Sequence, residues 1–404
     1  MAETMEKETG QRWHDLDAVR ALALLLGVAL HATMSFIEPQ MWIVKDVSHD
    51  PGLGVLFYVI HMFRMITFFV LAGFFARMLM QKRGVGGFVA NRLKRVALPL
   101  VVFWPLIFAS IVTIVILANM PAPGSVATSA PPPPPPGLTA QTFPLTHLWF
   151  LYMLLILYAG AIVLKLVTDV LHIGGILGKM LDSAMGLLIR TDMISAVLII
   201  PMAAALWSNP QWMMWFGIMT PDTGLVPNVM ALASYITAFG FGWLLHRRSD
   251  LLVHLAKRWW LYLVSAAVAT WWCLAIVGTQ PAFIPVNGHD HPIYILVYAL
   301  GAWSWTLGLI GITHAFLRAE NPLIRYLSDA SYWVYIIHIP VLMTLQYLIK
   351  DVAWPADAKY AVILMGTVTI ALLTYQIVVR YSFIGAILNG RRRKSKASSQ
   401  EVLA

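Results

Sequence analysis

Long apolar runs, without the period-two alternation of a β-strand, recur along this chain and are separated by short polar interruptions. Taken at spanning length, they predict helices over 16–37, 53–78, 97–118, 147–168, 193–209, 227–246, 260–278, 291–317, 331–349 and 359–384. A run of about 20 residues crosses a hydrocarbon core of about 30 Å, where only helices or closed barrels satisfy their own backbone. Barrel strands would alternate in polarity, and these runs do not. The expected fold class is therefore an all-α integral membrane protein, a bundle of about ten transmembrane helices with both termini cytoplasmic. The orientation follows from the lysines and arginines. With the N-terminus inside, all but Lys45, Lys350, Lys359 and the intramembrane Arg64 of the 28 basic residues lie on the inner side, where positive connections are retained.

The connections refine that plan. A cytoplasmic segment over 1–15 leads into a membrane domain over 16–384, and a basic cytoplasmic tail follows over 385–404. The longest outward connection, 119–146, holds six consecutive prolines from Pro131 to Pro136 and no charged residue, which reads as an extended spacer. Among the inward connections, 81–95 carries Lys82, Arg83, Arg92, Lys94 and Arg95, and 169–190 has the character of a helix lying along the membrane interface. The run Arg391, Arg392, Arg393, Lys394 and Lys396 reads as a stop-transfer and an anchor for anionic lipid. The first apolar run carries Asp17, Arg20 and His31 and continues past Ala32, as a retained helix does and a cleaved signal peptide does not. There is no internal repeat of the kind that builds inverted-repeat transporters.

Composition agrees with a lipid solvent: 59% of the 404 residues are hydrophobic, 12% are charged, and the mean hydropathy is +0.73. The net charge of +9 does not indicate nucleic acid, because the basic residues are scattered between apolar spans instead of gathering with stacking aromatics. The single cysteine, Cys273, excludes an intrachain disulfide and reads as buried filler in preference to a thioacyl relay. Several tryptophans, among them Trp149, Trp259, Trp260, Trp271 and Trp272, fall near helix ends or outer halves, as interfacial belts do, and such indoles also offer faces on which a sugar ring can stack.

Ionisable groups inside spanning helices are costly, by about 2.5 kcal/mol or more for Arg or Asp at a helix centre, and are functional candidates by default. Asp17, Arg20 and His31 share one face of the first helix, with His31 about 16 Å beyond Arg20 toward the outer side. His61 and Arg64 lie one turn apart on the second, antiparallel helix at a comparable depth, so His31 and His61 can be presented to each other. His147 begins the fourth helix at the outer surface, and His338 lies mid-span in the ninth; for each, a structural hydrogen bond and a functional role stand side by side. No clustered Cys/His spacing suggests a metal.

These segments resemble the membrane-bound acyltransferase-3 family. LDAVRALALLLGVALHATMSF is similar to the family's opening motif of Arg, ten residues and His, matched by Arg20 and His31. IHMFRMITFFVLAGFFARML with FVANRLKRVALPLVVFW resembles its second and third helices, and HLWFLYMLLILY and LSDASYWVYIIHIPVLM its fourth and penultimate ones. Within the family, the sequences around His61, His147 and His338 look most like those of members that succinylate periplasmic glucans. The Pro-rich outer loop is not a family feature, and 170–290 adds no motif.

The resemblance implies transfer of an acyl group from cytosolic acyl-CoA, succinyl-CoA or acetyl-CoA, to a hydroxyl of a periplasmic glucan or another envelope carbohydrate, in a bacterial inner membrane. No cofactor would be permanently bound, and the partners would be membrane lipid, donor and acceptor. The donor phosphates would dock near Arg92, Lys94 and Arg95. Arg20, paired with Asp17, would hold either the pantetheine-side polar groups of the donor or the acyl carboxylate, and His31 would act as general base or as an acyl-carrying nucleophile. His61 and Arg64 would stabilise the oxyanion or hold a succinyl carboxylate, with His147, Trp149 and His338 toward the acceptor. Acetylation of a different polysaccharide or lipopolysaccharide, and proton-coupled transport through the bundle, are the competing expectations.

Overall fold

The structure is a computed structural model and describes residues 13–40, 42–120, 137–209, 212–281, 283 and 290–389. The expected proline run and all of the expected tail beyond 389, with its basic cluster, lie outside the described residues, as does nearly all of the N-terminal segment. The chain is built from helices; among the described residues the extended backbone makes only an isolated bridge between Pro144 and Thr223. In chain order the helices are α1 (His14–Thr33), α2 (Pro51–Arg92), α3 (Leu98–Ala118), α4 (Trp149–Val170), α5 (Gly174–Arg190), α6 (Ile194–Trp207), α7 (Val229–Arg247), α8 (Leu252–Val277), α9 (Asp290–Phe316), α10 (Pro322–Ile349), α11 (Ala356–Thr374) and α12 (Phe383–Leu388).

Eight helical runs among the described residues are long and apolar enough to cross a membrane, and the bent pair α5 and α6 can supply a ninth crossing. One of the eight, Pro51–Ala118, is 68 residues long. At 1.5 Å per residue it would extend about 100 Å, more than three hydrocarbon thicknesses, so it contains two of the expected spans. The expected loop between them is helical. The course is interrupted by Gly84, whose φ of 66° and ψ of 179° only glycine adopts without strain, and by a π-helical stretch over Leu93–Ala97.

Side-chain caps set several boundaries that hydropathy alone misses. Asp50 accepts from the Gly52 amide at 2.6 Å ahead of Pro51, and Asn321 accepts from the Leu323 and Ile324 amides at 2.9 and 3.2 Å ahead of Pro322. An Asn or Asp followed by proline starts a helix because its oxygen satisfies orphan amides while the proline needs no partner. Thus α10 starts well before the expected 331.

The fifth expected span, 193–209, is shorter than predicted. Helix α6 has 14 residues, about 21 Å of rise, less than a hydrocarbon core requires. It meets α5 at 109°. Helix α5 covers most of the stretch expected along the interface, and it is clamped to the end of α7. Arg247 donates from Nε and Nη2 to the two Asp182 carboxylate oxygens at 2.6 Å each, and Arg248 donates to the Asp182 carbonyl at 2.9 Å. Ile176, Met180 and Leu187 remain exposed on it, as lipid-facing residues do.

Helices α1 and α9 are the most enclosed of the spans, with 61% and 67% of their apolar windows buried. Around them α2 packs on α7, α8 on α9, and α10 on α1, α3 and α11. Small residues set the closest approach. A Cβ on Gly73 of α2 would lie 1.9 Å from the Phe239 carbonyl oxygen, and one on Gly242 of α7 would lie 1.9 Å from that of Val70. The two backbones touch, and helices in lipid gain their association from such packing. Gly73→Ala and Gly242→Ala are each expected to cost about 1–3 kcal/mol by overpacking. The measurement is the thermal midpoint of the purified protein in detergent; an unchanged midpoint in both would refute the backbone contact.

Candidate active site

Two polar stripes face each other on α1 and α10. On α1, Asp17 pairs with Arg20 at 3.1 Å, as their spacing predicts. Arg20 also donates from Nη2 to the carbonyl of Ser328 at 3.1 Å and to the Ser328 hydroxyl, which itself donates to Asp17 at 3.0 Å. Its guanidinium lies 6.0 Å from the centre of the Phe75 ring of α2. Further along α1, His31 has as ring neighbours His338 of α10, 5.4 Å away, and Trp42, 6.0 Å away and stacked. From Arg20 to His31 is about 16 Å of helix and from Ser328 to His338 about 15 Å. The two helices therefore run parallel and in register, with one polar station at Arg20 and another at His31.

Arg64 reaches the His31 station from α2. A side chain on Gly27, one turn before His31, would place its Cβ 2.8 Å from Arg64 Nη1, so the guanidinium fills the space that this glycine leaves. Arg64 is 8% exposed, its Nε is buried without a partner, and among the described residues it makes no hydrogen bond or ion pair. A buried, unpaired cation is expensive unless an anion joins it.

The remaining expected residues divide. His147 adjoins the station: its ring lies 5.1 Å from that of His338, and Nε2 donates to the Ile336 carbonyl at 3.0 Å. His338 donates from Nδ1 to the Tyr335 carbonyl at 2.7 Å, and the Tyr335 hydroxyl donates to the His147 carbonyl at 2.7 Å. His61 stacks on Phe57 at 5.3 Å and packs beside Gly217. Trp149 is 6% exposed, stacked on Tyr235 at 5.7 Å and next to Phe69; it is a core aromatic and offers no open face to a sugar. The indole beside His31 is instead that of Trp42.

Toward the start of α1, Arg92 lies over the rings of Phe88 and Tyr158 at 5.4 and 5.2 Å, and the Arg95 carbonyl accepts from the Tyr332 hydroxyl at 2.6 Å. Tyr332 is one turn from Ser328, so the basic stretch adjoins the Arg20 station. Lys94 is exposed.

Several participants carry no signal in the apolar pattern. Gln346 is 1% exposed; it accepts from the Trp42 indole N–H at 2.8 Å and donates to the His31 carbonyl at 3.3 Å. The 37–50 connection thereby folds across His31, and it is tied down by a sealed ion pair. Lys359 Nζ lies 2.7 Å from Asp46 Oδ1, with the two side chains 0% and 1% exposed. A second buried pair joins Asp15 to His314 Nδ1 at 2.6 Å. The spacing of Ser328, Tyr332, Tyr335 and His338 at three and four residues was the available clue on α10. Among the described residues no three His, Cys, Asp or Glu side chains are grouped to hold a metal ion.

Comparison with known proteins identifies the architecture. The profile of the acyltransferase-3 family, described as an acyltransferase domain, matches residues 13–376. The chain belongs to the acyltransferase-3 family. Over 103 residues it is 31% identical to glucans biosynthesis protein C of Shigella boydii serotype 4 and 32% identical to that of an Escherichia coli strain. Each match covers 26% of this chain and 26% of the relative, so the chain spans about a quarter of the length of the curated relatives it matches. No solved structure matches significantly. The family profile covers both polar stations and the connection that closes over His31.

Loss of one partner from the Asp46–Lys359 pair strands a charge away from water. Lys359→Met is expected to cost about 3–5 kcal/mol, and Lys359→Met with Asp46→Leu much less, because a buried pair and an apolar pair are often of similar stability. Chemical denaturation in detergent measures both; equal losses would show that the pairing does not matter.

Proposed function

We propose that this protein is a multi-pass acyltransferase of a bacterial inner membrane, transferring a succinyl group from cytosolic succinyl-CoA to a hydroxyl of a periplasmic glucan. Both termini face the cytoplasm in this reading, which puts Arg92, Lys94 and Arg95 on the donor side, where basic groups suit a polyanionic carrier. The observation that carries the succinyl assignment is Arg64. A carboxylate suits a buried guanidinium beside the His31 station that has no partner among the described residues, and a dicarboxylic acyl group brings one into the bundle. An acetyl group has none. The kinship to glucans biosynthesis protein C supports the glucan acceptor.

The chemistry follows from the two stations. Arg20, held by Asp17 and Ser328, binds the polar arm of the donor as the thioester passes along the α1–α10 seam. His31 takes the proton of the acceptor hydroxyl as its oxygen bonds to the thioester carbon. The carbon–sulfur bond breaks, and the proton leaves with the thiolate as free CoA thiol. Arg64 holds the distal carboxylate and so aligns the thioester carbon, with His61 packed one turn away. Holding both reactants replaces a bimolecular encounter with a local one.

The test is mass spectrometry of periplasmic glucans from cells lacking the protein, complemented with wild type, His31→Ala or Arg64→Ala at equal membrane abundance. Wild type should restore the succinyl mass increment. His31→Ala should lower transfer by about 10²–10⁴-fold. Arg64→Ala should lower kcat/KM for succinyl-CoA by about thirty-fold or more, as expected for losing a buried charge partner, while acetyl-CoA is affected far less. Unmodified glucans with wild type would refute the glucan acceptor; an Arg64→Ala enzyme equally impaired with both donors would refute the carboxylate role.

A further inference from the structure

The sequence Ile-His-Ile-Pro ends in a proline that sits inside α10. In an α-helix the amide of residue 340 would donate to the carbonyl of residue 336, and proline has no amide hydrogen to give. The Ile336 carbonyl is thus released from the helix at membrane depth, where an unmet carbonyl costs about 1–3 kcal/mol. His147 takes it, with Nε2 at 3.0 Å. A carbonyl can only accept, so Nε2 carries the hydrogen, and in a neutral imidazole Nδ1 is then a bare acceptor. Nδ1 of His147 is buried and has no partner.

His338 is fixed by the same logic with the nitrogens exchanged. Its Nδ1 donates to the Tyr335 carbonyl at 2.7 Å, which leaves Nε2 bare. His147 and His338, with rings 5.1 Å apart, therefore hold their only ring hydrogens on backbone carbonyls, and each keeps a lone pair. Two such acceptors have nothing to donate to each other. What they lack is a donor, and the two reactants differ in that respect: a thioester group presents acceptors only, whereas an alcohol presents an O–H.

We infer that Pro340 is a positioning residue, which by freeing the Ile336 carbonyl fixes His147 and gives the His147–His338 pair the lone pairs that bind hydroxyls of the acceptor sugar beside the reacting one, an inference that rests on the acyl-transfer reading. The pair accepts the hydrogens of those neighbouring hydroxyls, which leaves the hydrogen of the reacting hydroxyl to His31, whose ring lies 5.4 Å from that of His338. No bond is made or broken at Pro340. Its effect passes through His147 alone: an amide hydrogen at position 340 would reclaim the Ile336 carbonyl for the helix and leave His147 free to carry its hydrogen on either nitrogen.

The experiment compares wild type, Pro340→Ala, His147→Gln and the double variant as full-length protein in nanodiscs, with two readouts. The first needs no substrate: nitrogen-15 NMR of histidine-labelled protein, the His147 signal being the one lost in His147→Gln. Wild type should show His147 with hydrogen on Nε2 alone, and Pro340→Ala a mixture of tautomers. The second is steady-state transfer from succinyl-CoA to purified glucan. Pro340→Ala should raise KM for the acceptor or lower kcat by about tenfold or more, as loss of a group that aligns the acceptor does, with KM for the donor unchanged. His147→Gln keeps an N–H for the Ile336 carbonyl but exchanges the fixed ring nitrogen for an amide oxygen on a flexible chain, so it should fold and show an acceptor-side loss even where Pro340→Ala does not fold. In the His147→Gln background, Pro340→Ala should add nothing.

An unaltered His147 tautomer in Pro340→Ala, a donor-side effect, or full additivity in the double variant would each overturn the inference, the last by showing that Pro340 acts through the shape of α10. If the NMR result holds and wild type transfers nothing to glucan, the acyl-transfer reading to glucan fails and the positioning of His147 by Pro340 stands.

Discussion

Arg20 is tied to Asp17 on its own helix and to the hydroxyl and carbonyl of Ser328 on α10, and that knot sets how α1 and α10 lie together. Slipping either helix by one residue would rotate its side chains by about 100° and move them 1.5 Å. His338 would no longer meet His31, and Gln346 would lose the His31 carbonyl. The knot satisfies a charge, a carboxylate and a hydroxyl with one another, which is the condition for keeping any of them between spans.

The same condition sorts the other ionisable groups. Asp46 with Lys359, and Asp15 with His314, are buried in pairs; Arg92 is spread over two aromatic faces. The Asp46–Lys359 ion pair contributes less to net stability than its Coulomb attraction suggests, because both charges were taken from water. Its value is in fixing geometry. Asp46 with Lys359 fixes the path of the 37–50 connection, which brings Trp42 against His31. Arg64 is treated differently: its neighbour on α1 is made small at Gly27, and among the described residues no carboxylate pairs with it.

How much of this was legible in the sequence depended on distance along the chain. Helix α9 was expected over 291–317 and is found at Asp290–Phe316, because a strongly apolar run there is bounded by polar residues. The Asp17–Arg20 pair and the common face with His31 follow from helical periodicity within one segment. The joining of α2 toward α3 did not, since the basic stretch 81–95 interrupts the apolar runs and was expected as an inward connection, and the helix continues through all but Gly84. Nor did the partners on α10. Ser328 lies 308 residues from Arg20, and no periodicity connects such positions. Trp42 was invisible for a further reason: it lies in a connection whose course depends on Gln346 and Lys359. Trp149 gave the opposite error, because an indole at a helix end has the same local pattern whether it faces a substrate or, as here, the core.

The close approach of Gly73 to Phe239 and of Gly242 to Val70 bears on Arg64 in a way that concerns preorganisation. An unpaired guanidinium in a flexible bundle would be relieved by a tilt of its helix toward water or a carboxylate. Helix α2 has little freedom to tilt, because two and a half turns beyond Arg64 its backbone lies directly on that of α7. The penalty of isolating the charge is thus met once, when the helices associate, and is not incurred again at each encounter with a ligand. A pair of hydrogen atoms in place of two methyl groups thereby holds a guanidinium in a fixed place between α1 and α2.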